Sequence, residues 1–233
     1  MREYYTIRYA PNNIVFSIAG KFDWDLFCKE VEDLTGSWQS FDVERDTSAI
    51  KFEAKQQELT REGINLEHLM FMLPAPSAQD DLRYAGTIWN NLIGDSSGSR
   101  LYWDLLEPGL VESLYSWSDA QDGSGVSYLY AGCTKENLNT TREKVKHYLD
   151  SPLDFKSKDL NNSKTKLASR VAIAAEQPYN RMISIAEDMA YRSSLTTLDS
   201  TIKSIQNIDQ SDMEKLHATY SFDAYGEYTL VAG

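Results

Sequence analysis

The chain has 233 residues, enough to bury a substantial core as one large domain or as a domain with a smaller appendage. Its 42% hydrophobic and 25% charged content is that of a folded globular protein, not of a disordered one. With 35 acidic against 23 basic side chains the net charge is -12, which repels phosphate backbones and anionic lipid surfaces and argues against nucleic acid or membrane partners. The two cysteines, Cys28 and Cys133, have no spacing that suggests a disulfide framework or a zinc pair, so a reducing compartment fits better. Met1-Arg2-Glu3-Tyr4-Tyr5 carries no apolar export signal, and no run approaches the roughly 18 apolar residues that span a bilayer. The chain as written therefore reads as cytoplasmic.

In chain order, Asn13 to Ala19 is a β-rich run (Ile14, Val15, Phe16, Ile18) entered through Pro11-Asn12-Asn13 and closed by Gly20, which predicts a strand. Asp23 can cap a helix with Trp24, Phe27, Val31 and Leu34 on one face and Gly36 as its stop. Residues 38 to 60 turn polar and charged, with Glu44-Arg45-Asp46 and Lys55-Gln56-Gln57-Glu58, and read as a linker. Leu66 to Leu73 predicts a strand ended by Pro74-Ala75-Pro76. Leu82, Ala85, Ile88, Trp89 and Leu92 give one apolar face to a helix stopping near Gly94, and a short helix follows from Ser99 to Leu105. Leu110 to Ser118 and Gly125 to Cys133, separated by Asp119-Ala120-Gln121-Asp122-Gly123, predict a hairpin. Helices are expected over 137–149, 160–176 and 179–192, the last two parted by Pro178, and a strand over 228–232. Strands and helices without strict βαβ alternation indicate an α+β fold, an antiparallel sheet backed by helices. Ile14 to Gly20 and Glu227 to Gly233 both end in Ala-Gly, an echo that suits a duplicated domain.

Gly94-Asp95-Ser96-Ser97-Gly98 satisfies the G-x-S-x-G pattern of a hydrolase nucleophile, and Asp212 and His217 could complete a triad in chain order. A nucleophile elbow needs a strand before the serine, whereas a helix precedes it here, so the segment reads as an inter-helix loop. His68, His147 and His217 are isolated, with no spacing that places two imidazoles on one helix face, and the chain itself is expected to hold no metal. His68 reads as a packed or hydrogen-bonded strand residue, because Glu67 and His68 point to opposite faces of a strand, and His147 as solvated. Arg100, directly after Gly98-Ser99, could tie the loop to a neighbouring carboxylate or carbonyl; Arg83 and Arg181 read as ordinary ion-pairing residues. Tyr102, Trp103, Tyr115, Trp117, Tyr128 and Tyr130 read first as core and cross-strand packing, and otherwise as a peptide-binding surface.

These landmarks together resemble the second segment of the pitrilysin (insulinase) family of zinc metallopeptidases, over most of the chain. Tyr9-Ala10-Pro11-Asn12-Asn13 with Ile14 to Gly20 is similar to the family's Tyr-x-Pro-x-Asn strand ending in Ala-Gly-Asp, with Lys21 in place of the Asp. Asp25 to Gly36 and Leu34-Thr35-Gly36-Ser37-Trp38 match the helix and its Gly-x-Trp ending. Asp81 to Gly94 followed by Ser97-Gly98-Ser99-Arg100-Leu101 resembles the family's helix, glycine loop and Ser-Arg-Leu, the most specific part; Gly94, Ser99 and Arg100 are its structural loop. Leu105-Leu106-Glu107, Gly109-Leu110-Val111 and Leu114-Tyr115-Ser116 fall where the family has Leu-Arg-Glu, Gly-Leu-Ala-Tyr and Val-Tyr-Ser.

What the resemblance implies is a C-terminal, non-catalytic half that helps enclose a peptide substrate, with zinc held by an inverted motif, H-x-x-E-H, in a preceding segment. Its partner is that N-terminal peptidase-like domain or a separate subunit. Residues 1–40 would be the final strand and helix of the preceding, mostly absent domain, 41–60 a linker, and 61–233 the C-terminal α+β domain. Two positions depart from the family: Leu106 and, allowing a one-residue gap, Glu112 stand where an arginine and a tyrosine able to hydrogen-bond substrate are expected. That departure suits an alternative, an inactive family member serving as a structural or partner subunit.

Overall fold

A computed structural model describes residues 1–43, 47–48, 51–95 and 97–233, with residues 6 and 7 as backbone alone; the Glu44-Arg45-Asp46 run and Ser96 lie outside the described residues. Five strands form one sheet in the order β1-β5-β2-β4-β3: β1 (Gln56–Arg61), β2 (Glu67–Pro74), β3 (Ser113–Ala120), β4 (Gly125–Cys133) and β5 (Gly226–Ala232). The class is the expected α+β, with helices backing the sheet. Pairing is antiparallel across β5-β2-β4-β3, but β1 joins β5 in parallel, so the sheet is mixed.

Strand parity explains the two faces of the sheet. In β2, Leu69, Phe71 and Leu73 are buried, and directly across from them in β4 stand Ala131, Leu129 and Ser127. The register continues this face into Leu114 of β3 and Thr229 of β5. Helices α3 (Arg83–Gly94) and α4 (Leu138–Asp150) pack on the sheet, adding Ile88, Trp89, Leu92, Val145 and Leu149 to one buried cluster with these residues. A second layer, α5 (Ser157–Ala174), α7 (Leu198–Asn207) and α8 (Gln210–Thr219), closes over α3. Trp89 sits at the joint: its indole N–H donates to the Pro152 carbonyl at 3.2 Å and its ring meets Phe222 at 4.4 Å. Helix α6 (Pro178–Glu187) begins at its proline, where the missing N–H costs no helical bond, and runs into a π turn, Asp188–Arg192.

Several elements differ from expectation for local reasons. The segment 56–61, expected at the end of a linker, is strand β1; all six residues are exposed, so backbone pairing with β5 holds it and no apolar pattern announces it. Helices α7 and α8 were not expected, although both carry caps: Thr197 Oγ accepts from the Ser200 N–H at 3.2 Å, and Asp209 and Asp212 cap each other's backbone N–H at 3.1 Å. The run 14–19 forms no strand. Among the described residues it has no ladder partner, and its recorded tertiary bond is Ser17 Oγ donating to the Met182 carbonyl of α6 at 2.8 Å. The helix after it, α2 (Trp24–Thr35), does form, capped by Asp23 accepting from the Leu26 N–H at 2.9 Å. A further short helix, Arg2–Arg8, precedes both; we number it α1.

Candidate functional site

The glycine-serine loop is a structural joint. Gly94 ends α3 against the hairpin, and a β-carbon there would lie 2.6 Å from Ser116 Cβ and 2.8 Å from Leu129 Cδ2, so only glycine admits this approach. Ser99 is buried; its hydroxyl donates to the Asp95 carbonyl at 2.6 Å and accepts from the Tyr102 N–H at 3.2 Å, starting the turn that runs into the π-helix Tyr102–Leu106. Arg100 donates to the Asp159 carboxylate at 3.0 Å and to the Asp154 carbonyl at 3.2 Å, fastening the loop to the start of α5. Asp95 in turn pairs with Lys166 and Arg170, each at 2.8 Å. Of the hydrolase residues, Asp212 is engaged in the α8 capping box, and among the described residues no hydrogen bond joins it to His217.

The opposite face of the sheet is built differently. Register places Tyr115 and Trp117 of β3, Tyr128 and Tyr130 of β4, His68, Met70 and Met72 of β2, and Tyr228 and Leu230 of β5 on it. None is buried, and Tyr115 and Trp117 are 58% and 41% exposed. These side chains do stack across strands, Trp117 on Tyr128 at 4.9 Å and Tyr115 on Tyr130 at 5.9 Å, but outside the core that the sequence reading gave them. The cause is parity: Leu114 and Leu129 take the helix-facing positions, which forces their aromatic neighbours outward. The helices that pack on the sheet, α3 and α4, use the other face. This leaves an aromatic and methionine surface that α3 and α4 do not cover.

His68 lies on this open face with its Nδ1 2.6 Å from the Tyr130 hydroxyl. Its neighbour Glu67 points into the core and accepts from the Ala232 N–H at 3.1 Å. His147 is exposed on α4, and His217 packs by Phe222 at 5.5 Å. Among the described residues no three His, Cys, Asp or Glu side chains gather closely enough to hold a metal, so those residues do not fit a zinc ion. Burial pushes the Cys133 thiol up, only partly offset by Thr141, which makes it a poor nucleophile at neutral pH. Leu106 leans on the edge of the core, and Glu112 is exposed, its backbone N–H donating to the Gly132 carbonyl at 2.8 Å.

What the sequence reading missed is a polar staple beneath the hairpin. Asn90 of α3 donates to the Gly86 carbonyl at 3.2 Å and the Ser127 hydroxyl at 3.0 Å, and accepts from Ser116 at 2.7 Å. The alternating Ser116, Ser118 and Ser127 on the buried parity were the available signal, since hydroxyls inside a core need a partner.

The family profile of the peptidase M16 inactive domain matches residues 1–167. The uncharacterized zinc protease YmxG of Bacillus subtilis is 27% identical over 213 residues, covering 90% of this chain and 51% of that protein. An uncharacterized zinc protease of Streptomyces coelicolor is 24% identical over 161 residues, covering 64% and 34%. The chain thus spans about half, or less, of the relatives it matches. Among solved structures, the peptidase M16 inactive domain from Pseudomonas fluorescens superposes with a TM-score of 0.76 at 13% identity, over 91% of this chain and 52% of that one. A protease from Helicobacter pylori gives 0.75 at 13% identity, over 91% and 54%. No helix among the described residues is long and apolar enough to cross a membrane. The chain belongs to the peptidase M16 family, the pitrilysin-type zinc peptidases, as its inactive domain.

Proposed function

We propose that this chain is the non-catalytic wall of a peptide-enclosing zinc peptidase, its open sheet face turned toward substrate and the zinc carried by a preceding segment or a partner subunit. The observation that carries this reading is the uncovered surface of Tyr115, Trp117, Tyr128, Met70 and Met72, which offers apolar contact area without charge selectivity. Residues 1–40 belong to a preceding unit, in which α2 is a closing helix and the run 14–19, without a ladder partner among the described residues, would pair as the final strand. Their support is the unpaired run 14–19 and the exposure of Phe16, Phe22, Trp24, Leu26, Leu34 and Trp38, which a second unit would cover. Residues 41–55 connect the two, since the sheet begins with β1 at Gln56.

A flexible peptide bearing a photoreactive phenylalanine analogue tests the reading. Irradiated with the chain and mapped by mass spectrometry, it is expected to label Tyr115, Trp117 or Tyr128; labels confined to α5, α6 and α7 refute the assignment. The second reading, an inactive structural or partner subunit, is favoured by Leu106 and Glu112, which place an alkyl group and a carboxylate where substrate-binding donors are expected. Failure of the complete protein to cleave any peptide, with its preceding segment intact, decides for it.

A further inference from the structure

From the hydrogen bonding of the open face we infer that His68 and Tyr130 form a peptide-reading pair, binding the N–H and C=O of one residue of an extended peptide, which point to the same side of the strand. This rests on the reading of the open face as a peptide wall. His68 Nδ1 and the Tyr130 hydroxyl are 2.6 Å apart, their rings are stacked at 5.9 Å and 28°, and both residues are half-buried on that face. Among the described residues neither the imidazole Nε2 nor the phenol has a second hydrogen-bond partner.

The pair has a property that does not depend on where the proton lies. If neutral His68 carries its proton on Nε2, the phenol donates to Nδ1, leaving an Nε2–H donor and the phenol oxygen as acceptor. If the proton is on Nδ1, that N–H donates to the phenol oxygen, leaving the O–H as donor and Nε2 as acceptor. Either tautomer presents one donor and one acceptor, the complement of the N–H and C=O that one residue of an extended peptide turns to the same side.

The surroundings keep the pair in place and in reach. A β-carbon on Gly132, directly across β2 from His68, would come 3.3 Å from the Tyr130 hydroxyl and 2.6 Å from Ser113 Oγ, so the glycine leaves the room in which the phenol lies. Tyr115 supports the other side of the Tyr130 ring at 5.9 Å. The outer strand β3 is a sheet edge, so Trp117 and Tyr115 adjoin the pair at the rim, where neighbouring side chains of the peptide can rest. Leu106 and Glu112 remove two hydrogen-bonding groups that the family pattern leads one to expect, and this pair returns a donor and an acceptor to the sheet.

The test is fluorescence anisotropy with the whole chain and a labelled peptide, Lys-Ala-Phe-Ser-Phe-Ala-Lys, together with analogues N-methylated at each amide in turn. His68→Gln and Tyr130→Phe are each expected to weaken binding by about tenfold, the effect of losing one hydrogen bond of roughly 1.4 kcal/mol. The double variant should lose little more than either single one, because the pair acts as a unit. One N-methyl analogue should bind the native chain weakly but lose no further affinity to the double variant. Tyr130→Phe keeps both ring stacks, and near-ultraviolet circular dichroism identifies any variant that has not folded. If Trp117→Ala weakens binding while His68→Gln and Tyr130→Phe, both folded, do not, the pair is wrong and the peptide wall stands. If the native chain does not bind the peptide and photolabelling also misses the open face, both are overturned.

Discussion

Burial of a phenol beside a carboxylate gives this protein a weakness at high pH. Tyr148 is buried in α4 and donates to Asp104 at 2.7 Å; burial first, and then the hydrogen bond to the Asp104 carboxylate, push its pKa up from 10.0 to about 12. Tyr220, half-buried with its hydroxyl donating to Asp80, moves in the same direction. Because the folded state holds these protons more tightly than the unfolded chain, whose tyrosines titrate near pH 10, their stabilisation is complete below that pH and falls as pH rises toward 12. The urea midpoint is expected to drop over this interval, and to drop less in Tyr148→Phe, which has no proton to lose. An identical fall in the variant would show that Tyr148 does not contribute. The same residue scale shows what was readable in the candidate site: Gly94, Ser99 and Arg100 stand out by residue type and spacing. His68 and Tyr130, 62 residues apart, are joined only by the β2–β4 register.

Elements with strong periodicity were legible, and those held by other forces were not. The alternation of β2 and the apolar stripe of α3 mark both from sequence, with boundaries displaced by a residue or two. Strand β1, by contrast, has no buried residue, and the parallel bonds to β5 that form it join residues over 170 positions apart, which no local pattern encodes (Gln56 to Glu227 is the first pair). Run 14–19 shows the converse: high strand propensity with no ladder partner among the described residues forms no strand. Helices α7 and α8 are ten residues each, short enough that their caps matter more than their apolar faces. Asp209→Ala removes the capping box of α8, which places Met213 and Leu216 in the core, and is expected to cost about 1 kcal/mol. Chemical denaturation measures this; an unchanged midpoint would mean that packing alone holds the helix start.

At the scale of the whole molecule, one sheet divides two kinds of surface. One face carries helices α3 and α4 and the core, and the other carries stacked aromatics and methionines that these two helices leave uncovered. That division was only half visible in the sequence, because hairpin alternation says which residues share a face but not which face the helices take. The chain belongs to the peptidase M16 inactive domain, and among the described residues no group of His, Cys, Asp or Glu could hold a metal; the reading of the chain as a non-catalytic wall rests on both. The most direct measurement is therefore hydrolysis of a quenched fluorescent peptide by the purified 233-residue chain, with and without a zinc chelator. The account requires no zinc-dependent turnover from the chain alone, and chelator-sensitive cleavage by this chain alone would contradict it.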